Sequence, residues 1–407
     1  MFKAAPRAPS VRMTADERRA TAGLASIFGL RMLGMFIILP VFALYADALP
    51  GGRNKTLVGI ALGAYGLTQA ILQIPFGWVS DRWGRKPVIY SGLVIFALGS
   101  FVAAAAGDIY WIIAGRTLQG AGAISAAVLA LAADTTRDVV RTRTMAVIGM
   151  TIFATFALSL VAGPALSAAI GVPGIFALTG VLALAATLIV RAVIPAGHEK
   201  VPPPVENAFA RVLSDRQLLR LNYGIFALHA LLMSLFIEIP FALRDNGIAE
   251  ASHWKVYLPV LVASVALMWP FVRQSDRPGR GKPIFLGAVA LLLIAQVVLG
   301  MSQHTIAGLV AGLILFFTAF NLLEATLPAL VSRYAPRDMK GTAVGIYSSV
   351  QFLGTFAGAA AGGWLAQHEG GIAVFAFGVV LTMIWLGVGA TMAAPPDYST
   401  QLSMGRT

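Results

Sequence analysis

The sequence predicts an all-α membrane protein with twelve transmembrane helices, arranged as two six-helix bundles with pseudo-two-fold symmetry. The first observation is composition: 58% of the residues are hydrophobic and 12% are charged, whereas soluble domains carry about 25% charged residues. The second is a series of apolar runs, each close to the roughly 20 residues that a spanning helix needs. The third is a short basic segment that occurs once in each half of the chain.

Twelve apolar runs are separated by short polar segments, and the mean hydropathy of the chain is +0.79. We expect the runs to be helices, because the alternating segments of about 10 residues that form outer-membrane barrels do not occur. They lie near residues 20–49, 56–80, 86–106, 109–132, 142–167, 173–195, 217–243, 254–273, 283–301, 305–333, 341–366 and 371–393.

The longest polar segment lies in the middle of the chain and contains three consecutive prolines. Such composition is typical of a linker, so we expect one bundle at 1–195, a linker at 196–216 and a second bundle at 217–407. The chain contains no cysteine, so it has neither disulfides nor thiolate metal sites. We expect no cofactor, no bound metal and a monomer.

The net charge of +12 orients the chain in the membrane instead of binding nucleic acid. The loops expected outside hold only Arg53, Lys55, Arg244 and Lys255, and two further arginines lie within helices, which leaves 24 of the 30 Lys and Arg (30 minus 4 minus 2) in the other segments. Because cytoplasmic loops are enriched in Lys and Arg, we expect both termini in the cytoplasm. The first apolar run is too long for a signal peptide, and the expected location is a bacterial inner membrane.

The basic segment that follows the second apolar run is repeated in similar form after the eighth apolar run. Asp81 of the first copy corresponds to Asp276 of the second, an offset of 195 residues (276 minus 81). A duplicated turn inside a duplicated hydrophobic half is typical of transporters built from structural repeats. The first copy contains Gly77, Asp81, Arg82, Gly84, Arg85 and Lys86, and the second contains Asp276, Arg277 and Arg280.

These motifs resemble those of a known family. The first copy is similar to G-x-x-x-D-R-x-G-R-K, the most specific signature of the major facilitator superfamily. Arg116, Gln119 and Gly120 resemble its helix-4 motif. Gly163 and Pro164 resemble the core of its helix-5 antiporter motif, although the flanking glycines are missing here. The resemblance covers about residues 20–393 and implies the major facilitator fold.

Three further segments, 30–35, 229–234 and 320–324, are similar to YajR-type transporters, a bacterial group usually classed with proton-driven drug efflux proteins. The resemblance implies drug:proton antiport. Some members of that group carry a soluble C-terminal domain, which we do not expect in this sequence.

Ionisable residues deep inside the apolar runs give an independent indication of a cavity. They lie on the first, fourth, seventh and tenth runs, and a charge in hydrocarbon is costly unless it faces water or a partner. We therefore expect these four helices to line a central cavity, with Gln119 and Asn321 beside the charges. The ionisable residues are Arg31, Arg116, His229, Glu238 and Glu324.

Glu324 is the acidic residue predicted to carry a proton, with Glu238 and His229 as further candidates for proton coupling. Each has an alternative interpretation: Glu324 as a member of a structural ion pair, Glu238 as an interfacial residue, and His229 as a hydrogen-bonded packing residue. Arg31 is either a cavity residue or a structural partner of a carboxylate.

The family resemblance also implies a gate. Asp81 would contact the start of helix 11, near Gly341, and latch the outward-open state, because a helix N-terminus attracts a carboxylate. Arg85 and Asp134 would complete that charge cluster, whereas the degenerate copy around Asp276 and Arg280 should matter less.

The leading functional hypothesis is secondary active transport, in which a small amphipathic compound is exported in exchange for protons. A nutrient or metabolite symporter or uniporter is the alternative within transport. An enzyme or an ATP-driven pump is disfavoured, because the sequence contains no nucleotide-binding loop ending in G-K-[ST] and no nucleophile or metal-ligand motif.

Overall fold

A computed structural model describes residues 13–193, 207–275, 277, 279–336 and 339–393. The described residues form helices joined by short turns and contain no strand, which confirms the predicted fold class. The predicted linker at 196–216 lies mostly outside the described residues, and its described end forms a short helix. The helices are α1 (Ala15–Phe36), α2 (Leu39–Asp47), α3 (Lys55–Trp83), α4 (Arg85–Ala104), α5 (Ile109–Ala121), α6 (Ser125–Asp134), α7 (Asp138–Ala192), α8 (Ala208–Ser214), α9 (Arg216–Asp245), α10 (Trp254–Ser275), α11 (Gly281–Ser302), α12 (Ile306–Tyr334), α13 (Lys340–His368) and α14 (Gly371–Ala390).

Ten helical segments of the described residues are long and apolar enough to cross a membrane. One of them, α7, consists of two helices joined at Gly171, whose φ of 69° lies in the left-handed region that favours glycine. α13 has the same 29-residue length as α3, but its many glycines and polar residues keep it outside the ten. Counting α7 as two spans and adding α13 gives the twelve spans that the sequence predicts.

Two of the spans are each divided into two helices, α1 with α2 and α5 with α6. α1 and α2 form one span interrupted at Ile37 and Ile38, and Pro40 occupies the first turn after the break, where a proline is tolerated. The antiporter-like motif on α7 packs on this break: a Cβ placed on Gly163 would lie 2.5 Å from the carbonyl oxygen of Ile37 and 2.9 Å from Pro40. Gly163 therefore allows α7 to approach the break closely.

Most of the helix pairs in contact lie within two sets. In the first set α7 packs on α1 and α4, and α5 packs on α3 and α4. In the second set α9 packs on α13 and α14, and α12 packs on α10 and α11. The most extensive contact of all joins the two sets and is made by α3 and α13.

We name the two ends of the molecule by their residues. The basic face carries Asp81, Glu17 and Arg216, and the opposite face carries Lys55 and Glu238. At the opposite face α3 and α13 touch backbone to backbone, since a Cβ on Gly59 would collide with the carbonyl oxygen of Ala359. Small residues permit such close helix contacts in membranes.

Towards the basic face α3 and α13 separate. Gly345 and Gly341 continue the face of α13 that packs on α3, because they lie seven and eleven residues (352 minus 345 and 352 minus 341) from Phe352, and such spacings share one helix face. Phe352 contacts Gly66 of α3, yet a Cβ on Gly345 or Gly341 would meet no atom within 4 Å. The two helix sets are therefore closed at the opposite face and apart at the basic face.

Candidate functional site

The structure brings two of the predicted proton-coupling residues together. Glu324 on α12 lies 4.0 Å from His229 on α9, measured from carboxylate Oε2 to imidazole Nε2. His229 is almost fully buried, whereas the Glu324 side chain is 32% exposed. The Oε2 atom of Glu324 has no hydrogen-bond partner among the described residues. The carboxyl group is therefore partly accessible and partly held in an apolar setting.

The hydrogen bonds of His229 indicate which ring nitrogen carries the proton. Nδ1 lies 3.3 Å from the carbonyl oxygen of Ile225, and Nε2 lies 2.7 Å from Nε2 of Gln351 on α13. A carbonyl can only accept, so Nδ1 is the donor, and Nε2 of a neutral ring accepts from the amide of Gln351. The nitrogen that faces Glu324 is thus the one able to take up a further proton.

An aromatic cluster separates this pair from the opposite face. Phe156 of α7 contacts Phe317 and Phe320 of α12 at ring-centroid distances of 6.1 and 5.9 Å, and it also contacts Phe36 of α1 at 5.1 Å. α12 begins at the opposite face, so Phe317 and Phe320 lie nearer to that face than Glu324 does. We call Phe36, Phe156, Phe317 and Phe320 the aromatic barrier. All four side chains are buried, and the cluster lies between Glu324 and the opposite face.

Both predicted cavity arginines bind neutral groups instead of carboxylates. Arg31 donates to Ser125 and Gln69, and Arg116 donates to Gln119 and to the carbonyl oxygen of Leu62 at 3.0 and 3.3 Å. Their guanidinium carbons lie 5.9 and 5.1 Å from the ring centre of Tyr65 on α3. Such cation–π contacts stabilise desolvated cations by about 2 kcal/mol.

The remaining cavity candidates, Gln119 and Asn321, form hydrogen bonds with neighbouring side chains. Gln119 accepts from Arg116 and donates to Ser100 at 2.8 Å. Asn321 donates to Ser264 of α10 at 3.2 Å and so points towards α10, while Glu324 points towards α9. Arg31, Arg116, Gln119 and Asn321 are each at most 3% exposed. In this conformation they support the walls of the centre, and Glu324 is the more accessible group.

Glu238, the third candidate for proton coupling, lies at the opposite face. Its Oε2 atom is 3.9 Å from Nζ of Lys55 on α3, and the backbone amide of Lys55 donates to Gln367 of α13 at 2.7 Å. These contacts link the two helix sets where α3 and α13 touch. Glu238 is therefore placed to stabilise closure of this face.

The basic motif forms one charge cluster at the basic face. Arg85 donates to Asp81, to Ser80 at 2.8 Å and to Asp134 of α6 at 3.1 Å. Gly84 separates α3 from α4 with a φ of 91°, a conformation that favours glycine. Arg82 stacks on Trp78 at 4.0 Å, and Gly77 packs against Ala126. Lys86 lies in the first turn of α4, next to Arg85.

Asp81 does not contact α13 in this conformation. Its carboxylate binds Arg85, its side chain is 45% exposed, and the start of α13 at Gly341 has open space around it. In the second copy of the motif, Arg280 donates to Gln274 at 2.7 Å and Arg277 is exposed, whereas Asp276 lies outside the described residues. Pro164 lies inside α7, next to Gly163 on the α1–α2 break.

Sequence reasoning missed the neutral partners of the charged residues. Gln351, Gln69 and Tyr65 carry no charge, so the search for ionisable residues inside apolar runs could not find them. A search for amide side chains at similar depth would have found Gln69 and Gln351. The pairing of Lys55 with Glu238 is visible only in the tertiary structure, because these residues lie on α3 and α9, far apart in the sequence.

Comparisons with known proteins agree with this architecture. The family model of the Major Facilitator Superfamily matches residues 24–359 and 244–406. The chain is 45% identical over 393 residues to the inner membrane transport protein YajR of Escherichia coli, covering 96% of this chain and 86% of that protein. It is 26% identical to the multidrug resistance protein MdtH of Edwardsiella ictaluri, covering 82% of this chain and 83% of MdtH.

Solved structures show the same fold. A bacterial homolog of the human lysosomal transporter Spinster, in an inward-facing and occupied conformation, superposes with a TM-score of 0.77 at 13% identity, covering 93% of this chain and 97% of that one. The human organic anion transporter MFSD10 superposes with a TM-score of 0.69 at 19% identity, covering 92% of this chain and 100% of that one. With its repeated basic motif and its all-helical architecture, the chain belongs to the major facilitator superfamily of membrane transporters.

Proposed function

We infer that the protein exports small amphipathic compounds in exchange for protons, with Glu324 as the proton carrier and His229 as its partner. The observation that carries this proposal is the Glu324–His229 pair, which lies 4.0 Å apart and has no Lys or Arg bound to it among the described residues. A charged carboxylate oxygen that accepts no hydrogen bond costs free energy inside a membrane, and protonation of the carboxylate removes that cost. The multidrug resistance protein MdtH, to which the chain is similar, supports the substrate class.

The proposed orientation follows from charge. Among the described residues the basic face holds most of the Lys and Arg, and cytoplasmic segments are enriched in these residues. We therefore assign the basic face, with both termini, to the cytoplasm. The conformation described above then opens inward, so that Glu324 exchanges protons with the cytoplasm while the aromatic barrier closes the outer path.

Alternating access would move residues 1–195 against residues 217–407 about the centre. In the outward-open state the aromatic barrier would separate, the Lys55–Glu238 contact would break, and the basic face would close by bringing Asp81 to the start of α13. Protonation of Glu324 from outside and deprotonation inside would then drive export. Asp81, Arg85 and Asp134 would form the inner latch.

The function is tested by flux measurements on the purified protein in liposomes. We expect an amphipathic fluorescent dye such as ethidium to accumulate on the side from which protons leave, and the accumulation to collapse when a protonophore is added. A dye movement that only equalises concentrations and ignores the pH gradient would identify a uniporter. Movement of dye in the same direction as protons would identify a symporter. Either result would contradict the proposal.

The inner latch gives a separate prediction. Asp81→Asn should lower the transport rate, because the amide loses the attraction of the α13 N-terminus, which would act only in the outward-open state, a loss of about 1 kcal/mol or roughly fivefold in the population of that state. Initial dye-export rates measure the effect. Asp245→Asn at the opposite face is the matched control and should leave the rate unchanged. A wild-type rate in Asp81→Asn would remove the latch from the mechanism.

A further inference from the structure

A recess opens between the basic-face ends of α9 and α14, away from the central pair. It is a shallow recess, open to its surroundings, with a volume of about 390 Å³. Two arginines stand on one side, one helical turn apart on α9, and small or apolar residues form the rest of the lining. The lining residues are Arg216, Leu219, Arg220, Gly387, Val388 and Thr391.

The charges of the recess are mostly unengaged. Arg220 uses Nε to donate to Thr391 at 2.9 Å, and no other hydrogen bond of its guanidinium group is found among the described residues. Arg216 is exposed and forms no hydrogen bond or ion pair within that part of the chain. The adjacent carboxylate, Asp215, is occupied as the N-cap of α9 by the amides of Gln217 and Leu218. The recess therefore presents guanidinium donors to an anion.

An apolar stripe leads into the recess along α14. Val380, Met383 and Ile384 are about half exposed, and the spacing of 380, 384, 387 and 391 places them on one helix face with the recess residues. In a membrane-spanning helix an exposed apolar stripe faces lipid chains. A ligand that fills both regions has an anionic head for the arginines and an apolar chain for the stripe.

We propose that this recess binds the headgroup of an anionic phospholipid whose acyl chain lies along the α14 stripe. The phosphate would accept hydrogen bonds from Arg216 and from the terminal amino groups of Arg220, since guanidinium groups match phosphate oxygens in geometry. Basic pockets at the ends of spanning helices are suited to such headgroups. The lipid would join α9, which carries His229, to α14 at the boundary of the bilayer.

Gly387 offers a variant that blocks the recess without disturbing the packing. A Cβ at this position meets no atom within 4 Å, so Gly387→Leu should fold and fill the space that the headgroup occupies. Gly287→Leu on α11 is the matched control, because its Cβ also has no neighbour within 4 Å. Arg216→Gln with Arg220→Gln removes the two charges. The control for the loss of an arginine is Arg273→Gln. Arg273 lies at the same face but outside the recess, where it stacks on Trp269 at 5.0 Å.

The test is a titration of the delipidated full-length protein in detergent, followed by native mass spectrometry. We expect dioleoylphosphatidylglycerol to bind more tightly than dioleoylphosphatidylcholine, and its binding to weaken about tenfold in Gly387→Leu and in the double arginine variant. The two controls should bind as the wild type does. If the double variant does not fold, Gly387→Leu decides alone. Equal binding of the two lipids, or unchanged binding in Gly387→Leu, would overturn the proposal, as would displacement of phosphatidylglycerol by inorganic phosphate alone.

Discussion

Glu324→Gln should abolish accumulation of the transported dye against its gradient, so that the ratio of internal to external dye falls to about 1 even when a pH difference is imposed. Glutamine keeps the size and polarity of the side chain but cannot release a proton. A coupled carrier must alternate between protonated and deprotonated forms. The substitution therefore removes the link between proton movement and dye movement. Dye binding and dye–dye exchange should persist, since the aromatic barrier and the arginines remain in place.

The measurement compares dye accumulation and dye exchange in the same liposomes. Glu250→Gln is the matched control, because Glu250 is exposed at the opposite face and forms no ion pair among the described residues. Persistent accumulation in Glu324→Gln would show that another group carries the proton, and His229→Gln and Glu238→Gln would then be tested in the same way. Loss of both accumulation and exchange would instead assign Glu324 to substrate binding.

Gly59→Leu should shift the protein away from the closed arrangement of the opposite face. A Cβ at Gly59 would collide with the carbonyl oxygen of Ala359 and lie 3.1 Å from Cα of Gly363. Both are backbone atoms, so that no side-chain rotation can relieve the collision. Overpacking costs about 1–3 kcal/mol, and a cost of that size changes a two-state population by roughly 5–150-fold. Transport should fall strongly, because the inward-open state can no longer form readily.

Opening of the outer path can be measured by labelling one introduced cysteine, because the chain contains no cysteine of its own. A single Phe317→Cys substitution in the aromatic barrier, where Phe317 is fully buried, reports whether the outer path is open. We expect a membrane-impermeant maleimide to label it from the opposite face in the Gly59→Leu background and much less in the wild-type background. Gly149→Leu is the control, because a Cβ there has no neighbour within 4 Å. Unchanged labelling together with normal transport would show that α3 and α13 do not form the outer gate.

The family and the fold class were predictable from the sequence because their signals are local or repetitive. Apolar runs of spanning length follow from the thickness of the bilayer, and the basic motif is contiguous from Gly77 to Lys86. Gly59 and Gly63 lie one helical turn apart, a spacing typical of close helix contacts in membranes, and the structure supplies the partner, α13. Such features depend on neighbours along one helix or turn, so that the order of residues is sufficient.

Only the tertiary structure decided which charges meet. From the sequence alone, Arg31 or Arg116 could have paired with Glu324, but both arginines bind amides, hydroxyls or carbonyls around Tyr65, and Glu324 lies beside His229 and Gln351. The pairing of Lys55 with Glu238 and the separation of Asp81 from α13 are of the same kind. The cost of charge in hydrocarbon requires that each ionisable group find a partner or water, but it does not select which. That selection depends on how the helices are rotated and how the two helix sets are tilted, and these are properties of packing between segments far apart in the chain.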